Sequence, residues 1–139
     1  LCNGDERKMS LAVVFFFFFP GMPCVFYGDE KGVEGVEEND YRQAMPWKRE
    51  NGSLFELYKE LIALRKRERA LRKGSFVVEG ITEKGVYIYS RKTEDVSIRV
   101  TINRTKDFYF GKMENIIAER GYGNGGLMPY GFVIEREEI

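Results

Sequence analysis

Histidine is absent from the 139 residues. That removes Ser/His/Asp and Cys/His catalysis, and any histidine-ligated metal site, from this chain. Cysteine is scarce: Cys2 and Cys24 stand alone with no C-x-x-C spacing, so neither zinc nor redox chemistry is indicated. Cys24 lies in an apolar run and reads as a small buried hydrophobe, and so low a count suits a reducing, cytoplasmic compartment. An excess charge of either sign is also lacking. Lys+Arg and Asp+Glu are both 22, which gives no long-range pull toward nucleic acid or an anionic membrane. A long hydrophobic run is missing too. The stretch from Leu11 to Phe19 ends at Pro20, well short of the roughly 20 residues a membrane span needs. It has neither the basic flank nor the small-residue cleavage site of a signal peptide. It reads as a buried core helix.

What is present is one ordinary domain's length of chain with 14% aromatic residues. It starts at Leu1 rather than Met, which points to a piece of a longer or processed protein. Leu1 to Asp5 reads as a loop and Asp5 as the cap of a helix from Glu6 to Phe18, with acid at the positive end of the dipole. Five consecutive phenylalanines, Phe15 to Phe19, cannot all face one layer, so some should pack beyond the sheet. Pro20 to Pro23 stops this helix. Cys24 to Tyr27 then reads as a fully buried strand that ends at Gly28 with two carboxylates, Asp29 and Glu30. Gly28 to Gly52 is a long polar loop, a kind that is often functional. Ser53-Leu54-Phe55-Glu56 fits a capping box opening a helix to Leu71, with Leu54, Tyr58, Leu61 and Ile62 at helical spacing. Arg65, Lys66, Arg67, Arg69, Arg72 and Lys73 crowd its end, reading as a solvated helix terminus, and Gly74 is the stop.

After Gly74 the period changes from 3.6 to 2. Phe76–Val78, Val86–Tyr89, Val96–Ile102 and Phe132–Ile134 read as strands, with weaker candidates at Phe108–Phe110 and Ile116–Ala118. Ile98, Val100 and Ile102 alternate with Ser97, Arg99 and Thr101, which predicts one buried face and one wet face. Gly121 to Gly126 reads as a glycine-rich loop without the phosphate-cradle pattern. The composition places a boundary at 74, dividing the chain into residues 1–73 and 74–139.

The run Phe19-Pro20-Gly21-x-Pro23-x-x-x-Tyr27-Gly28-Asp29-Glu30, then Gly32, then Arg42-x-x-Met45-x-Trp47, resembles the α-amylase family of glycoside hydrolases, most of all its neopullulanase, cyclomaltodextrinase and maltogenic amylase group. Asn103-Arg104 and Leu127-x-Pro129-Tyr130-Gly131-Phe132 resemble that family's terminal domain. The resemblance implies a fold class of α/β plus all-β: the last helix, strand and helix of a (β/α)8 TIM barrel in residues 1–73, then an antiparallel β-sandwich in 74–139. It implies cleavage of α-glucan oligosaccharides with retention, by an aspartate nucleophile and a glutamate acid/base about 5 Å apart. In the family's order these residues and the stabilising aspartate precede Leu1, so this chain is expected to carry no catalytic residue, no metal and no cofactor, and to be inactive alone. Asp29 and Glu30, adjacent and so facing opposite ways on a strand, are implied to be barrel-rim residues. Glu38 and Arg42 occupy the positions that bind a sugar on the non-reducing side of the cleavage point, Glu38 standing where the family usually has Asp. A structural pairing of Arg42 with Glu38 or Asp40 is the alternative. Trp47 either stacks on a sugar or anchors the loop. The group implies a homodimer for the whole enzyme. A non-catalytic carbohydrate-binding or scaffold module, and a relative that has lost its activity, remain alternative readings.

Overall fold

The computed structural model describes residues 2–139; Leu1, the first residue of the expected N-terminal loop, lies outside them. Helix α1 spans Glu6–Phe18, and Asp5 caps it through Oδ1, which accepts from the Arg7 amide at 3.0 Å. A 3-10 turn at Asp29–Lys31 and a single helical turn, α2 at Glu38–Tyr41, interrupt the long loop. Helices α3 (Ser53–Arg67) and α4 (Arg69–Lys73) precede six strands: β1 Ser75–Ile81, β2 Val86–Lys92, β3 Val96–Asn103, β4 Tyr109–Phe110, β5 Ile116–Gly123 and β6 Gly126–Glu138.

Every strand pairing is antiparallel, and the strands join one sheet in the order β1-β2-β3-β6-β4 with β5 also on β6. The long β6 is the hub. Its second half runs between β3 and β5, and its start pairs with β4 and the end of β5. The arrangement is consistent with the expected β-sandwich domain.

One face of the sheet packs on the helices. Ile98, Val100, Ile102, Phe132 and Ile134 join Leu11, Val14, Phe17, Phe18, Leu57, Leu61 and Leu71 in one core. Burial of such side chains contributes about 1.5–3 kcal/mol each before the entropy of ordering them is charged. The phenylalanine run divides as its geometry requires. Phe17 and Phe18 are buried, and Phe17 meets Tyr58 of α3 edge-on at 5.7 Å. Phe16 and Phe19 remain exposed.

Two arginines from other elements close the end of α1, whose last turn has no basic residue. Arg65 donates to the Phe17 carbonyl at 2.6 Å and to that of Gly21. Arg91 of β2, almost wholly buried, donates to the carbonyls of Phe18 at 3.1 Å and Gly74 at 2.8 Å. These cations meet the negative end of the helix dipole and satisfy carbonyls the helix leaves open. Burial lowers the pKa of both guanidiniums; the Arg72 charge adds to the lowering at Arg65, and the Arg65 charge to that at Arg91. Gly74 is required sterically: a Cβ there would lie 2.5 Å from the Ala70 carbonyl and 2.8 Å from that of Lys92.

Several expectations need correction. Residues 22–26 form no strand, and Cys24, expected to be buried, is exposed. A strand exists through hydrogen bonds to a neighbour, and none of the described residues offers this segment one. The (β/α)8 barrel is accordingly not seen in this chain. The capping box at Ser53–Glu56 does not form. Gly52 takes the cap position, and the Ser53 hydroxyl donates instead to the Glu6 carboxylate of α1. The second helix breaks at Glu68, which adopts an extended conformation and turns its nearly buried carboxylate to Arg67 at 2.8 Å and to Arg136 of β6 at 3.4 Å. The basic helix end is only partly solvated, because Arg65 is committed to α1 and Arg72 caps the Arg65 carbonyl at 2.9 Å. The outer face of β3 is not wet throughout: Ser97 and Thr101 are buried, Thr101 opposite Val133 of β6. Gly121 to Gly126 is not a loop but the tip of the β5–β6 hairpin. Asn124 and Gly125 turn it with φ of 51° and 76°, the left-handed pair a two-residue hairpin turn demands. None of the described residues forms a helix long and apolar enough to cross a membrane.

Candidate functional site

Residues 28–52 fold back on themselves beside the starts of α1 and α3. Gly28 begins the excursion in a left-handed conformation. The two carboxylates that follow are occupied locally. Asp29 Oδ2 accepts from the Phe26 amide at 3.2 Å, and Glu30 Oε2 accepts from the Gly28 amide at 3.0 Å. Partial burial raises the Asp29 pKa; the Phe26 amide pulls it back, and the Glu30 charge adds to the rise. Both side chains shape a turn.

Further along, Asp40 accepts from the backbone amides of Val36 and Glu37, both at 3.2 Å, which hold its carboxyl below the usual aspartate value. These bonds set the single turn of α2. Glu38 opens that turn and Arg42 follows it, so the two side chains meet one turn apart. Arg42 Nη2 lies 2.8 Å from Glu38 Oε1, with both side chains more than half exposed. The structure thus brings the two sequence-predicted site residues together, and Asp40 is not Arg42's partner in it. An exposed pair of this kind contributes little stability. It does present a planar donor fork and an acceptor side by side at the surface, a geometry suited to vicinal hydroxyls.

The loop is tied down elsewhere. The Tyr27 hydroxyl donates to the Gln43 carbonyl at 3.1 Å. Lys31 Nζ donates to the Arg49 carbonyl at 2.6 Å and to Asn51 Oδ1 at 2.8 Å, and Arg49 Nη1 donates to the carbonyls of Lys31 at 2.9 Å and Gly32 at 3.2 Å. Sequence reasoning missed this reciprocal contact, since two cations 18 residues apart carry no periodic signal. Trp47 is 80% exposed among the described residues. Met22, Val25, Phe26 and Tyr27 add an exposed apolar row before the loop. Among the described residues no group of His, Cys, Asp and Glu is arranged to hold a metal ion.

No family model matches the chain. Individual proteins do. The cyclomaltodextrinase of Geobacillus thermopakistaniensis is 36% identical over 110 residues, 77% of this chain and 19% of the relative. Neopullulanase 2 of Thermoactinomyces vulgaris is 38% identical over 105 residues, 73% of this chain and 18% of the relative. The crystal structure of the maltogenic amylase from S. marinus superposes with a TM-score of 0.79 at 30% identity, covering 92% of this chain and 19% of that one. Taken with the antiparallel sheet and the Gly28–Trp47 loop, these matches define the class: the chain is a relative of α-amylase-family glycoside hydrolases. Within that family its relatives are the cyclomaltodextrinases, neopullulanases and maltogenic amylases, and a C-terminal fragment of such an enzyme fits it. The chain spans about a fifth of the length of the curated relatives it matches.

Proposed function

We propose that this chain is the C-terminal part of a retaining α-glucan hydrolase that cleaves cyclodextrins, pullulan or malto-oligosaccharides in the cytoplasm. Residues 1–73 close its catalytic barrel, and residues 74–139 form its β-domain. Cys24–Tyr27 becomes the eighth barrel strand when paired within that barrel, and the exposed row Phe16, Phe19, Met22, Val25 and Phe26 is the surface the barrel covers. The catalytic carboxylates come from outside these residues. The loop contributes Arg42 and Glu38 as sugar-contacting groups, with Glu38 in place of the family's aspartate.

The observation that carries this reading is the exposed Glu38–Arg42 pair at 2.8 Å, inside a loop held by backbone bonds, at the two positions for which the family resemblance implies sugar contacts. The free state of both cysteines supports a reducing compartment. In the enzyme that carries this chain, Arg42→Ala should lower kcat/KM on β-cyclodextrin by about 10- to 100-fold, the loss of a charge-assisted hydrogen bond to substrate. Unchanged kinetics would remove the loop from the substrate site. The 139-residue chain alone should release neither glucose nor maltose from cyclodextrin or pullulan.

One observation favours a second reading, a non-catalytic carbohydrate-binding module. Phe110 of β4 is exposed with its ring 4.8 Å from Phe108, an aromatic surface on the sheet itself. Retardation of the whole chain in a glycogen-containing gel, abolished by Phe110→Ala and untouched by Arg42→Ala, would select it.

A further inference from the structure

The geometry points to Lys31 and Arg49 as positioning residues that clasp the neck of the sugar-facing loop. Each side chain reaches across to the other residue's backbone. Lys31 Nζ bonds the Arg49 carbonyl at 2.6 Å, and Arg49 Nη1 bonds the Lys31 carbonyl at 2.9 Å. Each also takes a second acceptor, Asn51 Oδ1 at 2.8 Å for Lys31 and the Gly32 carbonyl at 3.2 Å for Arg49. No carboxylate pairs with either cation among the described residues. Four charge-assisted bonds therefore stand where the chain leaves for, and returns from, the segment 33–48.

That segment contains both residues proposed to contact sugar, Glu38 and Arg42, together with the exposed Trp47. Inside it the order is local. Asp40 holds one turn, and Tyr27 touches Gln43. Without the neck contact this long excursion is a flexible loop joined to the body at two separated points. With it, the excursion is a compact closed loop whose ends are fixed together. A binding group on a mobile loop loses affinity in proportion to the fraction of time the loop is competent. The clasp keeps that fraction high. Its role toward substrate rests on the reading of the loop as sugar-facing; its role in ordering the loop does not.

The test uses Lys31→Met, Arg49→Met and the double variant, with Lys31→Arg as the conservative exchange. Both residues lie at the surface, away from the buried core, so thermal unfolding of the variants should match the parent chain. In the parent chain, backbone amide order parameters over residues 34–47 should sit near about 0.85, and in the double variant they should fall below about 0.6. Lys31→Arg should restore order. In the enzyme carrying the chain, the double variant should raise KM for β-cyclodextrin about tenfold while kcat stays within about twofold. Order parameters that stay high in the double variant overturn the clasp. Order parameters that fall while KM stays unchanged overturn its positioning role. If the enzyme does not act on cyclodextrin at all, the proposed function falls, and the order parameters alone decide whether the clasp exists.

Discussion

Residues 75–139 and residues 19–52 solve opposite problems. The first segment builds a core within its own sheet and against α1 and α3, while Val78, Ile81 and Phe110 stay exposed. Phe132, Val133 and Ile134 are fully enclosed in succession along β6, on both faces of the sheet. The second leaves Phe19, Met22, Phe26, Val36 and Trp47 at the surface and has no strand. It is held by polar contacts to backbone at its neck, its turn and Tyr27. A self-contained sheet is a scaffold. An exposed apolar row followed by a polar loop pinned at a few points is a surface shaped for contact.

Large-to-small changes should break this contrast most visibly. Phe132→Ala, in the enclosed core, should cost about 3–5 kcal/mol in denaturant unfolding. Phe26→Ala, at the exposed row, should change stability by no more than about 0.5 kcal/mol. Equal costs would mean that the two regions are packed alike. Next in size is the tie between the sheet and the end of α1. Arg91→Met leaves the Phe18 and Gly74 carbonyls without their buried donor and should cost about 1–3 kcal/mol. A variant as stable as the parent would show that the guanidinium's burial offsets its bonds.

Alkali supplies a smaller and graded effect. The Tyr58 hydroxyl is pushed up to about 12, first by burial and then by the Asp29 and Glu30 charges. Tyr89, more deeply enclosed and with no partner for its hydroxyl among the described residues, is raised further. Unfolded tyrosine ionises near about 10. Below that pH both states hold their protons; above it only the native state does. The contribution of these two tyrosines to stability should therefore be flat below about pH 10 and decline toward pH 12 as the unfolded chain gains charge. Denaturation midpoints across that range, with the tyrosinate absorbance of these two tyrosines appearing only on unfolding, check it. Ionisation of all tyrosines near pH 10 without unfolding would contradict the burial of these two.

The sheet was legible because its signals are local. Alternation located β3 and short apolar runs the other strands, β4 and β5 only as weaker candidates; a cap and an apolar run ending at Pro20 located α1, and the 3.6 period located α3. The failures have a common cause. Cys24 to Tyr27 has a strand's composition, but pairing depends on neighbours that its own residues do not specify. Ser53 has a capping residue's chemistry, but Glu6, distant in sequence, captured its hydroxyl. The buried Ser97 and Thr101 follow the right period; their burial depends on how the strands curl over one another. The Asn124-Gly125 turn was legible in principle, since that dipeptide is a strong hairpin signal, but the glycines around it suggested a loop. At the candidate site, a pairing of Arg42 with Glu38 or with Asp40 was expected as the structural alternative to sugar contact, and the structure forms the one with Glu38. The Lys31–Arg49 clasp left no pattern, because each partner is the other's backbone.

The account turns on which region meets sugar. Amide chemical shifts followed while β-cyclodextrin is titrated into the chain put that question to both regions at once. The account predicts changes confined to residues 37–47, with Arg42 and Trp47 among them and the core of β2, β3 and β6 unmoved. Changes confined to the strands, or an undisturbed loop at saturating sugar, would contradict it.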